Sequence, residues 1–223
     1  MKKNLFISAL LKFIIGFVLV AACLFLPAWT FEYPHAWLFL TFLFVPMAGV
    51  GVILFIMNPS LLQKRLSSKE KQATQKGVVS LAALMFPIGF VISALDFRFS
   101  WSEVSPYIVI VASVLFLLGY IMYAEVMREN AYLSRTIEVQ EGQKVVSDGL
   151  YGVVRHPMYL ATLLMFLPIP LMLGSFFGLI PFAAYPVMIV IRIINEEKVL
   201  ENELEGYKEY KSKVKYRLIP LVW

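Results

Sequence analysis

Charge is scarce in this chain: 16% of its 223 residues are Asp, Glu, Lys or Arg, against 60% hydrophobic. A soluble domain carries about 25% charged and about 45–50% apolar residues, so the balance excludes an ordinary soluble fold. Cysteine occurs once, as Cys23, which excludes an internal disulfide framework and a multi-cysteine zinc site. Histidine occurs twice, as His35 and His156, too few for a histidine-rich metal centre, and no metal is expected. The chain has no Gly-rich phosphate loop and no Gly-x-Ser-x-Gly turn, so it lacks the signatures of nucleotide-binding loops and of the hydrolase elbow. Twelve Gly and twelve Pro are too few for a collagen-like or low-complexity chain, and the abundance of Leu and Phe excludes disorder.

What is present is a series of long apolar runs: Leu5 to Leu26, Ala36 to Met57, Val78 to Leu95, Pro106 to Met127, Pro157 to Leu173 and Phe176 to Ile194. Each approaches the roughly 20 residues that a helix needs to cross the hydrocarbon core. The first lacks a small-residue cleavage site and is too long in its apolar part for a signal peptide, so a retained helix is expected. Lys12 lies near one end of it, where its stem reaches the interface. Only Gly174-Ser175 separates the last two runs, and they contain Pro168, Pro170, Pro181 and Pro186, which predicts a tight, bent hairpin. The expected fold is an all-α, polytopic membrane bundle of about six transmembrane helices, the last two a hairpin, plus a cytosolic C-terminal helix. Residues 1–127 form a four-helix part; residues 128–223 hold a loop, the hairpin and the C-terminal helix, within one structural domain.

The net charge of +5 reads as topology rather than as a nucleic-acid footprint, and no nucleic-acid partner is expected. Asn58 to Gly77 holds Lys64, Arg65, Lys69, Lys71 and Lys76 against the single acid Glu70, whereas Pro27 to His35 has no Lys or Arg and Asp96 to Ser105 has only Arg98. With six spans, both termini fall on the basic, cytosolic side. The loop Arg128 to His156, with a turn at Ser147-Asp148-Gly149, and the segment Glu196 to Lys215 then face the cytosol beside the hairpin. In the latter, Val199, Leu200, Leu204, Tyr207 and Tyr210 form one stripe, which predicts an interfacial or capping helix.

Two constellations carry chemical capacity. Asp148 to Tyr159 brings Tyr151, Arg155, His156 and Tyr159 to the mouth of the hairpin's first helix. Pro157 suits a first helical turn and pushes His156 toward an extended conformation, so the free amides at this mouth favour an anionic group. The bland reading makes Arg155 an anchor, His156 a cap and the tyrosines belt residues, and for any one of them it weighs at least as much. The second constellation is Arg192-Ile193-Ile194-Asn195-Glu196-Glu197, in which Arg192 and Glu196 share a helix face,. An ordinary surface pair is the common fate of such residues; Arg beside paired carboxylates at a membrane boundary is a functional-site signal. The hairpin brings both constellations to one end.

Gln143-Lys144-Val145-Val146, Gly149-x-Tyr151, Arg155-His156-Pro157-x-Tyr159, Arg192-x-x-x-Glu196-Glu197, Tyr207-x-x-Tyr210 and Arg217-x-x-Pro220 together resemble the isoprenylcysteine carboxyl methyltransferase family, part of a wider group with the phospholipid methyltransferases. The likeness covers about the C-terminal 95 residues, from Asn130 onward, with order and spacing kept. It implies S-adenosylmethionine as cofactor, contacted by Gln143, Lys144, Val145, Val146, Tyr151, His156, Pro157, Met158, Tyr159 and Glu196. It also implies that Arg192 faces the methyl acceptor, with Arg192, Glu196 and His156 as the catalytic set. The family often has His where Gln143 stands and Gly shortly after the motif Tyr, where this chain has Leu160-Ala161; both departures bear on the shape of the cofactor pocket.

A carboxylate acceptor needs a cation to orient it and no general base, so Arg192 favours an anionic, lipophilic small-molecule or lipidated substrate. An amine acceptor would first lose a proton, with Glu196 and Glu197 as candidate bases, and phospholipid amines and thiols are the alternative acceptors. The rival classes are an NADPH-dependent membrane reductase and a transporter. Against transport, Lys12, Glu125 and Arg192 are the charges within the spans, each near an end, which leaves no polar path across the midplane. The expected location is multi-pass in a membrane, with the site on the cytosolic side.

Overall fold

A computed structural model describes residues 2–66, 73–133 and 139–223. Among them all regular structure is helical: α1 (Lys2–Ala28), α2 (Pro34–Met57), α3 (Pro59–Leu66), α4 (Ala73–Phe99), α5 (Pro106–Glu129), α6 (Pro157–Phe166), α7 (Ile169–Met172), α8 (Leu179–Phe182), α9 (Ala184–Glu203) and α10 (Tyr207–Lys213). The helices α2, α5 and α6 open on Pro34, Pro106 and Pro157, where a missing N–H does no harm and φ is already helical.

Five stretches, Lys3–Ala28, Pro34–Met57, Ser80–Phe99, Pro106–Glu129 and Leu179–Glu203, are long and apolar enough to cross a bilayer. Leu19, Val52, Leu84, Ile121 and Val187 on their outer faces are more than half exposed, an apolar surface that lipid covers. The molecule is thus a helical bundle of an integral membrane protein.

The run Pro157–Leu173 is shorter than a full span: its helix covers Pro157–Met172 and breaks between α6 and α7. Pro168 and Pro170 cause the break, since neither can donate to the preceding turn. The turn falls at Gly174, whose φ of 76° is left-handed and suits glycine. The hairpin's second arm does not end at Ile194; α9 runs on to Glu203. No Gly or Pro follows Pro186 before Gly206, and a change from apolar to charged residues does not itself stop a helix. The expected capping helix over Glu196 to Lys215 is therefore two pieces, the end of α9 and α10, separated where Gly206 takes φ 81°. Residues 67–72 of the basic segment, with Lys69, Glu70 and Lys71, lie outside the described residues, as do residues 134–138 of the loop before the hairpin.

The arms of the hairpin are wedged into the bundle. Phe39, Phe116, Met172, Leu173 and Phe182 are fully buried at the centre. A Cβ on Gly119 of α5 would stand 2.8 Å from the Met165 amide nitrogen and 2.9 Å from the Ala161 carbonyl oxygen, so α5 and α6 touch backbone to backbone, as small residues permit in membranes. The hairpin turn is tied at one end of the bundle. There Asp96, fully buried, accepts hydrogen bonds from the Ser102 amide (2.8 Å), the Ser102 hydroxyl (2.6 Å) and the Ser175 hydroxyl, while the Tyr33 hydroxyl donates to the Leu173 carbonyl at 2.6 Å. The opposite end carries α3, the end of α9 and α10. Lys12 reaches this end and donates to the Leu66 carbonyl, 2.6 Å away at the close of α3, where a cation offsets the helix's unpaired carbonyls.

Candidate functional site

His156, at φ −125° and ψ 59°, is outside the helical region, as a residue before proline should be, without reaching the fully extended conformation expected of it, and the C-terminal tail lies along the entry to α6. The Arg155 amide donates to the Tyr216 carbonyl and the His156 amide to the Arg217 carbonyl, each at 2.9 Å. The Arg155 guanidinium adds bonds to the carbonyls of Val214 (2.6 Å) and Lys215 (2.8 Å).

Glu197 is the hub of this arrangement. Its side chain is buried, and Arg155 Nε stands 2.8 Å from one carboxylate oxygen while Arg217 Nε stands 2.9 Å from the other. His156 Nε2 lies 3.4 Å from the first oxygen and Lys211 Nζ 3.8 Å from the second. A buried carboxylate is tolerated when it is paired and hydrogen-bonded in this way. With both oxygens claimed, Glu197 holds the end of α9 to the mouth of α6 and to the tail, and it does not line the cleft beside it.

That cleft has about 850 Å³ of empty space, part of it open solvent. Gln143, Lys144, Val145, Val146, Tyr151, His156, Met158, Tyr159, Arg192 and Glu196 all line it. Of the residues anticipated for the site, Pro157 alone is not in the wall; it is buried as the first residue of α6. The two constellations meet at Tyr159: Arg192 Nε donates to the Tyr159 hydroxyl at 2.9 Å, and that hydroxyl donates to Glu196 Oε2. Arg192 and Glu196, one turn apart on α9, are thus bridged by a phenol from α6.

Three sets of lining residues were not anticipated as site residues. Asn130, Tyr132 and Leu133, just past α5, form one wall. Asn130 Nδ2 donates to the Tyr151 hydroxyl at 2.9 Å and its Oδ1 accepts from the Tyr132 amide at 2.9 Å; an Asn closing a helix was the available signal. Arg155 stood in the first constellation, without an assigned contact, and reaches the wall while serving Glu197. Leu200, Leu204, Tyr207 and Tyr210 form the far end, packed with Val145 and Val214; the stripe was legible, but only as a packing surface. The Tyr210 hydroxyl donates to the Tyr151 carbonyl at 2.7 Å. Burial pushes the phenols of Tyr151, Tyr207 and Tyr210 above their ordinary range, so they stay neutral hydroxyls at physiological pH.

The cleft is therefore lined both by charged residues, with Arg192 and Glu196 joined through Tyr159 beside the half-exposed Ile191 and Ile194 of α9, and by the aromatic and aliphatic side chains of Leu200, Leu204, Tyr207 and Tyr210. Such a lining suits a ligand with both ionic and apolar parts. Residues 107–205, a stretch with nearly all of α5, the hairpin and most of the cleft's lining residues, match the family described as phospholipid methyltransferase. Over 93 residues, 40% of this chain, the sequence is 33% identical to the Delta(14)-sterol reductase of Mus musculus, and that stretch is 22% of the reductase's length.

Proposed function

We propose that the protein is an S-adenosylmethionine-dependent methyltransferase that modifies a lipophilic acceptor at the cytosolic face of its membrane, with a carboxylate of the isoprenylcysteine type as the best-supported acceptor. The observation that carries this is the Arg192–Tyr159–Glu196 string at the boundary between the charged cleft and the lipid-facing surface of α9. At the far end of the cleft the buried Tyr207 hydroxyl makes no hydrogen bond among the described residues, which leaves hydrogen-bonding capacity behind this wall unused.

S-adenosylmethionine, when bound, supplies a methyl group activated by a sulfonium. Gln143 to Val146, Tyr151 and His156 to Tyr159 are the residues to hold it, with Glu196 accepting hydrogen bonds from its hydroxyl or amino groups. Arg192 orients the acceptor carboxylate, and Tyr159 in turn fixes the Arg192 side chain. A carboxylate that takes up a methyl group releases no proton, so the chain needs to provide orientation and exclusion of water rather than a base. His156, held beside Glu197, closes the pocket. An apolar tail reaches Arg192 from the bilayer along Ile191 and Ile194.

A second reading, methylation of a phospholipid amine, is favoured by the description of the matching family. The amine must then lose a proton, and Glu196, which faces the cleft, is the base; Glu197 has no spare oxygen. The shared stretch with a sterol reductase makes NADPH the rival cofactor. Transport is disfavoured by the groove beside the helix break, whose lining from Leu167, Pro168, Leu171, Leu179, Phe182 and α5 contains no charged residue,.

The deciding experiment incubates purified protein and its own membrane lipid extract with a methyl-labelled donor. Label that base releases identifies an ester; base-stable label in phospholipid identifies the second reading. Transfer to no lipid, peptide or thiol, together with calorimetric binding of NADPH and not of S-adenosylhomocysteine, overturns both.

A further inference from the structure

Beyond Arg217 the tail makes a short apolar turn, Leu218 to Trp223, that is not part of the cleft wall. Ile219 is 43%, Leu221 86% and Val222 75% exposed, a run of large apolar side chains left largely uncovered. Leu221 takes φ 65°, a left-handed conformation that glycine adopts with less strain, yet a large apolar side chain stands there. The turn closes on itself. The amides of Leu218 and Ile219 donate to the Trp223 carbonyl (2.9 and 3.2 Å), and those of Val222 and Trp223 to the Ile219 carbonyl (3.1 and 3.0 Å). Pro220 has no amide, so four of the five N–H groups from Leu218 to Trp223 are satisfied inside the turn. Apolar side chains outside and amides bonded inside are what hydrocarbon requires of a backbone and water does not.

The course of the tail says what covers this turn. Arg155 pairs with Tyr216 and His156 with Arg217, so the two segments advance in the same direction, and the tail heads into the bundle beside α6 where the apolar run of that helix begins. Leu218 is accordingly buried in the core that holds Tyr159, Ile189 and Ile193, with Trp223 packed against it. Lys213 and Lys215, just before the turn, are exposed. We propose that residues 218–223 form a knuckle immersed in the lipid leaflet at the cleft's end of the bundle, with Ile219, Leu221 and Val222 among the upper acyl chains and Lys213 and Lys215 among the headgroups. Apolar side chains beneath lysines are the arrangement by which interfacial segments hold to a leaflet, and tryptophan belongs at the same level. The knuckle also reaches the hub: the Arg217 guanidinium lies 5.1 Å from the centre of the Trp223 ring while its Nε holds Glu197 at 2.9 Å. Lipid that seats the knuckle therefore keeps the tail along the mouth of α6. Nothing in this placement depends on the reaction catalysed.

The test places a nitroxide at single cysteines of the full chain, reconstituted in vesicles of phosphatidylcholine and phosphatidylglycerol, with Cys23→Ala removing the one native thiol. Collision of the label with oxygen, which partitions into lipid, and with a water-soluble nickel chelate is measured for Leu221→Cys, Val222→Cys, Leu19→Cys and Lys213→Cys. Leu19, exposed on the outer face of α1, is the lipid reference and Lys213 the water reference. Both Leu221 and Val222 are exposed, so replacing either removes no core packing. Labels at 221 and 222 are expected to favour oxygen, as at 19, at a depth of about 5–10 Å into the boundary between headgroups and acyl chains, and the label at 213 to favour nickel. Nickel access at either position as high as at 213 overturns the proposal, because the turn then stands in water. Exclusion of both reagents overturns it as well, because protein, such as a second copy of the chain, then covers the turn in place of lipid.

Discussion

Two carboxylates are buried at opposite ends of this bundle, Asp96 and Glu197, and they are satisfied by different means. Asp96 accepts from two hydroxyls and an amide, and among the described residues no ion pair reaches it. Glu197 is met by Arg155, Arg217, His156 and Lys211. Hydroxyls can reverse the direction of a hydrogen bond; guanidinium groups cannot. The Asp96 knot is therefore a set of hydrogen bonds that ties a loop to the hairpin turn, while the Glu197 hub is a charge balance in which each partner requires the others.

The comparison is sharpened by making the same change at both ends. Glu197→Gln replaces one of the two carboxylate oxygens by an amide N–H₂ that opposes one of the arginines, and it removes the charge that balances buried Arg155; a loss of about 3–5 kcal/mol is expected, read as a large fall in the unfolding temperature in detergent. A loss of function follows next within the charged end itself, where Glu196 and Glu197 are adjacent but differently placed. Arg192→Ala is expected to lower turnover by about 100-fold or more with cofactor binding nearly intact, whereas Glu196→Ala weakens S-adenosylhomocysteine binding by about tenfold. Equal losses of cofactor affinity in the two variants would count against that division. Asp96→Asn comes third: Ser102 and Ser175 hydroxyls can turn to accept, so the cost should stay within about 1.5 kcal/mol. Matching destabilisation by Asp96→Asn and Glu197→Gln would erase the distinction between knot and hub. The smallest effect concerns pH. Tyr151, Tyr207 and Tyr210 have phenols raised by burial in the folded protein, while in the unfolded chain they titrate near 10. Their contribution is complete below about pH 10 and is lost as pH rises beyond it, because the unfolded state then releases protons that the folded state keeps. Unfolding midpoints that stay flat from pH 9 to pH 11 would contradict this.

Much of the architecture was legible because its determinants are local. Apolar runs announce spans, and Gly174-Ser175 with the surrounding prolines announces the hairpin. The same prolines shorten the first arm, a consequence that hydropathy averages hide. The passage of α9 beyond Ile194 was hidden for the reverse reason, since polarity marks a membrane boundary and not a helix end. Ten of the residues that line the cleft were readable from motif order; Asn130, Tyr132 and Leu133 were not, and Pro157, expected there, is not in the wall. The role of Glu197 was not, because its partners at 155, 156, 211 and 217 are remote in sequence and their convergence depends on the tail lying along the mouth of α6. Tyr207 likewise read as part of a packing stripe, and its placement at the cleft depends on the turn at Gly206.

The pairing of the tail with the entry to α6 also has a consequence in time. Arg155 and His156 are synthesised well before Tyr216 and Arg217, whose carbonyls their amides require. During insertion, the hairpin must therefore reach the bilayer with its mouth still open to water. A nascent chain halted before Arg217 would contain the five apolar spans of the described residues and no finished cleft, so completion of the cleft should be a late event of biogenesis, after membrane integration.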